Sequence, residues 1–149
     1  MEICGVQEGD GVVFFNEILS NLNAMSADEV IQSMGRIYEQ DVDREQLFQY
    51  PQFLQDVIFI IDLDTELSLE GIGGLLENRT EQYVPHMTAA LRRISANGEA
   101  DTLEKIWRRY QRNPGDEEID HLSNGLYLYT GFDIWALLEA YVCAEKAAV

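Results

Sequence analysis

Apolar residues recur along this chain at three- and four-residue intervals, the spacing of one face of an α-helix. The pattern is densest in the stretch from Gln52 to Glu66. There Phe53, Leu54, Val57, Ile58 and Ile61 hold the helical spacing, while Phe59 and Ile60 fill the opposite side. A segment apolar nearly all round belongs inside a core. Taken alone, Val57 to Ile61 also reads as a buried strand, since periodicity does not separate the two over five residues. Length decides for helix: the pattern runs from Phe53 to at least Leu67 without a turn signal. Pro51 stands where a first helical turn tolerates a missing N–H.

The flanking segments repeat the helical period. Val12, Phe15, Ile18, Leu19 and Leu22 predict a first helix over about Gly11 to Asn23, capped by Asp10, with residues 1–9 as a loose arm. Ser26 followed by Glu29 predicts a capping box, opening a helix striped by Val30, Ile31, Met34, Ile37 and Tyr38 that runs to about Gln40. A short helix through Leu47, Phe48 and Tyr50 closes at Pro51. Beyond the central stretch, Gly71, Gly73 and Gly74 predict a helix break, and Asn78-Arg79-Thr80 a turn.

Thr80 or Glu81 then opens a helix that keeps Pro85 in its first turn, turns Met87, Ala90, Leu91 and Ile94 inward, and ends at Asn97-Gly98 as a C-cap. Glu99 or Asp101 starts the next, with Leu103, Ile106, Trp107 and Tyr110 on one face, Arg108, Arg109 and Arg112 on the other, and Asn113-Pro114-Gly115 as its stop. An acidic helix follows from Asp116, packing through Leu122, Leu126 and Tyr129. After a turn at Thr130-Gly131, the last helix runs from Phe132 to Lys146, docked by Ile134, Trp135, Leu137, Leu138, Tyr141 and Val142. The expected fold is all-α: a single compact domain, residues 1–149, of about seven or eight helices around a buried central helix.

Charge changes the picture from fold to function. There are 27 acids against 10 bases, a net charge of −17, and the excess is lopsided: residues 1–91 hold 17 acids and 3 bases, residues 92–149 hold 10 and 7. Such a chain does not bind nucleic acid directly, because phosphate contacts dominate that affinity. Spread over the roughly 7,700 Å² of a fold this size, the charge amounts to about one per 450 Å², against roughly one per 100 Å² on B-DNA. Imitating DNA therefore requires the acids to gather on part of the surface.

Two acid series offer that gathering. Asp62, Glu66 and Glu70 fall four residues apart, which lines carboxylates about 6 Å apart along one helix face. Like charges so spaced weaken a helix by roughly 0.2–0.5 kcal/mol per pair. The second series is Glu39, Asp41, Asp43 and Glu45, countered by Arg44. For both, the plain alternative is a solvated face.

Catalytic signatures are missing. His86 and His121 each stand alone at a helix start, without the i, i+4 partner of a zinc helix, and Cys4 and Cys143 lack paired spacing. Gly9-Asp10-Gly11 has no following lysine and no preceding strand, so a turn is expected there rather than a phosphate loop. No nucleophile elbow or dinucleotide fingerprint occurs, and no cofactor or metal is expected. No run of about 18 apolar residues suggests a membrane span. The opening Met1-Glu2-Ile3-Cys4-Gly5 lacks a secretory signal's basic and apolar regions, so the expectation is cytoplasmic with free thiols.

The segment Glu66-Leu67-Ser68-Leu69-Glu70-Gly71-Ile72-Gly73-Gly74-Leu75-Leu76-Glu77-Asn78 resembles the core motif of a bacterial family of uncharacterised domains that includes a double-stranded-DNA mimic. The family pattern is an acidic residue, an apolar one, then Asn-x-Gly-Gly-Phe-x-Gln-Phe-Phe-x-Asn. Glu66, Gly71 and Asn78 match it, and Leu67, Ile72, Leu75 and Leu76 keep its apolar character. Ser68, Glu70 and Gly74 depart from it, standing where the family has Asn, Gly and Gln. Ala90-Leu91-Arg92-Arg93-Ile94-Ser95-Ala96 is similar to the family's helix ending in Leu-x-x-Ile-Gly-Ala, with Ser95 in place of Gly. The resemblance spans about Ile37 to Tyr141.

It implies a non-enzymatic acidic protein that occupies the basic DNA-binding surface of a regulator, with Glu39, Asp41, Asp43, Asp62, Glu66 and Glu70 as phosphate surrogates. Two alternatives stand beside it. One is an immunity-like inhibitor of a basic nuclease or toxin acting by the same electrostatics. The other is an enzyme or metal-binding protein using the Asp62, Glu66 and Glu70 face. Exposed Trp or Tyr on outer helices would suit a homodimer interface.

Overall fold

The computed structural model describes residues 14–39, 44–77, 82–124, 126 and 133–148. Helix α1 covers residues 14–21 and passes into a 3-10 turn, Leu22–Ala24. Then follow α2 (Ala27–Gly35), 3-10 segments Arg36–Glu39 and Arg44–Gln49, α3 (Gln52–Leu69), α4 (Gly71–Glu77), α5 (Val84–Arg93), α6 (Asn97–Arg112), α7 (Glu118–Ser123) and α8 (Ile134–Ala148). Among the described residues there is no strand, so the fold is all-α as expected. The expected caps or turns at Asp10, Asn78-Arg79-Thr80, Glu81 and Thr130-Gly131 lie outside the described residues. The chain divides into two compact units, one of Met1–Ile58 with Glu139–Val149 and one of Phe59–Leu138.

Every residue of α3 from Phe53 to Leu63 is buried. Val57, Ile58, Ile60 and Ile61 lose side-chain freedom in a helix, at a cost of no more than about 0.7 kcal/mol each relative to alanine. Burying each of those side chains returns roughly 1.5–3 kcal/mol. Packing therefore outweighs propensity, and the β-branched run is helical. Three polar side chains share the burial: Gln55, Asp56 and Asp62. Gln55 Nε2 donates to the Tyr50 carbonyl at 2.8 Å.

In the unit of Met1–Ile58 and Glu139–Val149, the capping box forms as expected. Ser26 Oγ accepts from Glu29 N–H at 3.1 Å, and Glu29 Oε1 accepts from Ser26 N–H at 2.8 Å. The Ser26 N–H, and after it the Ser26 hydroxyl, hydrogen-bonds the Glu29 carboxyl and holds it below its ordinary range. Val30, Ile31, Met34 and Ile37 are buried, but the α-helix tightens to 3-10 geometry at Arg36 instead of continuing to Gln40. Phe15 packs on Tyr50 with ring centroids 4.6 Å apart. The fully buried Asp56 carboxylate accepts from the Tyr141 hydroxyl at 2.5 Å and from Gln52 Nε2 at 3.1 Å. That pair ties α3 to α8 across 85 residues of sequence.

In the unit of Phe59–Leu138, the glycine break is narrower than the sequence suggests. It falls on Gly71 alone, at φ +73°, while Gly73 and Gly74 lie inside α4. The next helix end corrects the sequence reading more sharply. Asn97-Gly98 does not close α5 but opens α6. Helix α5 ends in a Schellman motif, with Ala96 N–H donating to Leu91 C=O at 2.8 Å and Ser95 N–H to Arg92 C=O at 3.0 Å. The left-handed residue is Ser95, φ +73°, the position at which the family motif has glycine. Pro85 lies in the first turn of α5, and α6 stops at Arg112 before Asn113-Pro114-Gly115, both as expected.

Three variants test this account, each read by chemical denaturation. Ser95→Gly stabilises by about 1 kcal/mol, because glycine removes the left-handed penalty. Gly71→Ala destabilises by about 1–2 kcal/mol for the same backbone reason, since a Cβ there would meet nothing within 4 Å. Tyr141→Phe leaves the buried Asp56 carboxylate short of a donor and costs roughly 1–3 kcal/mol. An unchanged midpoint for Tyr141→Phe contradicts the role given to the α3–α8 bond.

Candidate functional site

The six acids expected to carry function fall in different places. Asp62, Glu66 and Glu70 belong to the unit of Phe59–Leu138, and Glu39 to the other. Glu39 ends a 3-10 segment, while Asp41 and Asp43 lie outside the described residues.

The α3 series is graded by depth. Asp62 is 2% exposed, Asp64 and Glu66 are half-buried, and Glu70 is exposed. Asp62 is therefore corrected: a carboxylate at that depth is out of a partner's reach. The reason is the burial of α3 itself, which leaves no outer face until after Leu63. Glu70 N–H still donates to Glu66 C=O at 2.9 Å, so the two carboxylates stand one helical turn apart. Leu69, between them in sequence, is 77% exposed, an unusual exposure for leucine.

Three of the arginines of α5 and α6 are paired with the chain's own carboxylates. Arg92 of α5 pairs with two α6 acids, Asp101 at 2.9 Å and Glu104 at 2.7 Å. Arg108 pairs with Glu104 one turn away, and Arg109 with Asp116 at 3.2 Å. The hydrogen bond from Arg92, then the Arg108 charge, holds the Glu104 carboxyl below its ordinary range, and Arg92 is raised by Glu104 and then Asp101. These pairs are solvent-exposed and individually weak. Their consequence is for charge: three arginines are answered by the chain's own carboxylates.

A groove of about 240 Å³ lies between α4 and the α6–α7 turn, within the unit of Phe59–Leu138. Ile72, Leu76, Tyr110 and Ile119 give it apolar walls, and Glu77, Asp116, Glu117 and Asp120 give it carboxylates. Asp116 also accepts from Glu118 N–H at 2.9 Å, and this bond, with the Arg109 pair, keeps its carboxyl below the ordinary range. Sequence reading takes Asp116 to Asp120 as the start of an acidic helix. In fact α7 begins at Glu118, and Asp116 caps the turn before it. The groove was beyond sequence reasoning because it joins residues from Ile72 to Asp120, and only the Asn113-Pro114-Gly115 stop hints at a fold-back there.

His86 is exposed and stacks on Phe59 at 5.2 Å, and Cys143 is an exposed free thiol. Among the described residues no three His, Cys, Asp or Glu side chains converge as metal ligands, and no helix is long and apolar enough to cross a membrane.

Comparison with known proteins follows the motif. No curated protein and no solved structure matches the chain. The family model described as DMP19-like protein matches residues 48–145, which takes in α3 to α7 and most of α8. That is well over half of the sequence, and the chain belongs to the DMP19-like family, a family of DNA-mimic type.

Proposed function

We propose that this protein is a non-enzymatic DNA mimic that occupies the basic DNA-binding surface of a regulatory protein. Membership of the DMP19-like family carries the reading, and the net charge of −17 supplies the physical means. A DNA-binding surface presents arginine and lysine at phosphate spacing. Carboxylates offered to it win by the same long-range attraction and desolvate similarly. Glu66 and Glu70, one turn apart, are the proposed surrogates on α3, and Glu39, Asp41 and Asp43 the proposed second set. Asp62 is left out because it is buried.

The ion pairs of α5 and α6 support the reading from the other side. With Arg92, Arg108 and Arg109 committed to Asp101, Glu104 and Asp116, the chain's positive segment offers little to DNA itself. The proposed compartment is the cytoplasm, where such regulators act.

Affinity capture from the native host's lysate at low salt, eluted by a salt gradient, tests this. The expected result is a DNA-binding protein that elutes steeply with salt and is displaced by duplex DNA. Glu66→Gln with Glu70→Gln weakens its retention roughly 2- to 30-fold, the range for two exposed charge pairs. A captured nuclease or toxin in place of a regulator replaces this reading with the immunity-type one. Retention that ignores both salt and DNA, or no retained basic protein, contradicts both.

A further inference from the structure

We propose that the groove between α4 and the α6–α7 turn receives an arginine side chain of a basic protein partner. The inference rests on the reading that the partner is basic, and it assigns a place and a chemistry that the α3 acids do not.

The walls and rim match the two halves of that side chain. Arginine carries an apolar stem and a planar cation that is weakly hydrated and stacks on aromatic rings. The half-buried Tyr110 supplies ring surface, and Ile72 and Leu76, one turn apart on α4 and themselves buried, line the groove behind it. Glu77, Glu117 and Asp120 are exposed carboxylates along the same groove, and among the described residues no lysine or arginine lines it. One guanidinium already sits at this edge: Arg109 Nη1 donates to Asp116 Oδ2 at 3.2 Å. Asp116 is thus answered by a guanidinium of its own chain from outside the groove, and Glu77, Glu117 and Asp120 carry the remaining negative charge along it.

Other occupants fit less well. An anion meets four acids. A neutral apolar molecule covers those carboxylates without answering them, at the cost of their desolvation. The groove's roughly 240 Å³ is below the usual 300–1,000 Å³ of small-molecule pockets, and suits one inserted side chain.

Gly73 provides a variant that closes the groove without harming the fold. It lines the groove from inside α4, and a Cβ there would meet only Glu77 Oε2, at an ordinary 3.7 Å. Leucine is also a better helix former than glycine. The experiment is an amide chemical-shift titration of the full-length, isotope-labelled protein with a tetra-arginine peptide, against a tetra-citrulline peptide as its neutral isostere.

Saturable shifts centred on Gly73, Glu77, Gly115 and Asp120, absent with citrulline, are expected. Gly73→Leu weakens this binding about tenfold or more while thermal stability holds or rises. Shifts spread over acidic residues generally, shifts that persist in Gly73→Leu, or no saturable binding overturn the proposal. The outcome is separable from lysate capture. A groove that binds arginine with no DNA-binding protein captured sinks the mimic reading alone, and a captured regulator indifferent to Gly73→Leu sinks the groove alone.

Discussion

Burial of α3 is the constraint on which the other features depend. From Phe53 to Leu63 no side chain of that helix faces water, so its polar members must be satisfied inside or excluded. Asp56 shows the first solution, its carboxylate held by Tyr141 and Gln52. Isolated burial of such a group would cost several kcal/mol, which makes the α3–α8 bond a condition of the packing rather than an addition to it. After Leu63 the helix emerges, and only from there do its acids become available to a partner.

The same emergence explains why an acidic protein of this size presents charge selectively. Smeared acidity falls well short of the density on DNA, so placement must compensate. On α5 and α6 carboxylates are used to answer arginines of the same unit. At Glu70 and along the groove rim they are exposed instead. Net charge alone does not distinguish these uses, whereas depth and pairing do.

Much of the helical frame was legible in the sequence, because each signal was local. The Ser26–Glu29 box, Pro85 in a first turn and the Asn113-Pro114-Gly115 stop each depend on a few adjacent residues. Where the reading failed, the deciding interaction was of another kind. Asn97-Gly98 has the look of a C-cap, yet the Schellman bonds of Ala96 and Ser95 close α5 three residues earlier and force serine into a glycine's conformation. Spacing correctly put Asp62, Glu66 and Glu70 on one helical row but says nothing of how deep that row begins. The groove, built from residues nearly fifty positions apart, has no local signature.

Amide hydrogen exchange along α3 tests the central claim, that this helix is core up to Leu63 and surface beyond it. The account predicts that amides from Val57 to Leu63 exchange only through global unfolding, with protection equal to the denaturation free energy, while those from Ser68 to Glu70 exchange through local opening and far faster. Uniform protection along the helix, or rapid exchange at Phe59 to Asp62, would contradict it.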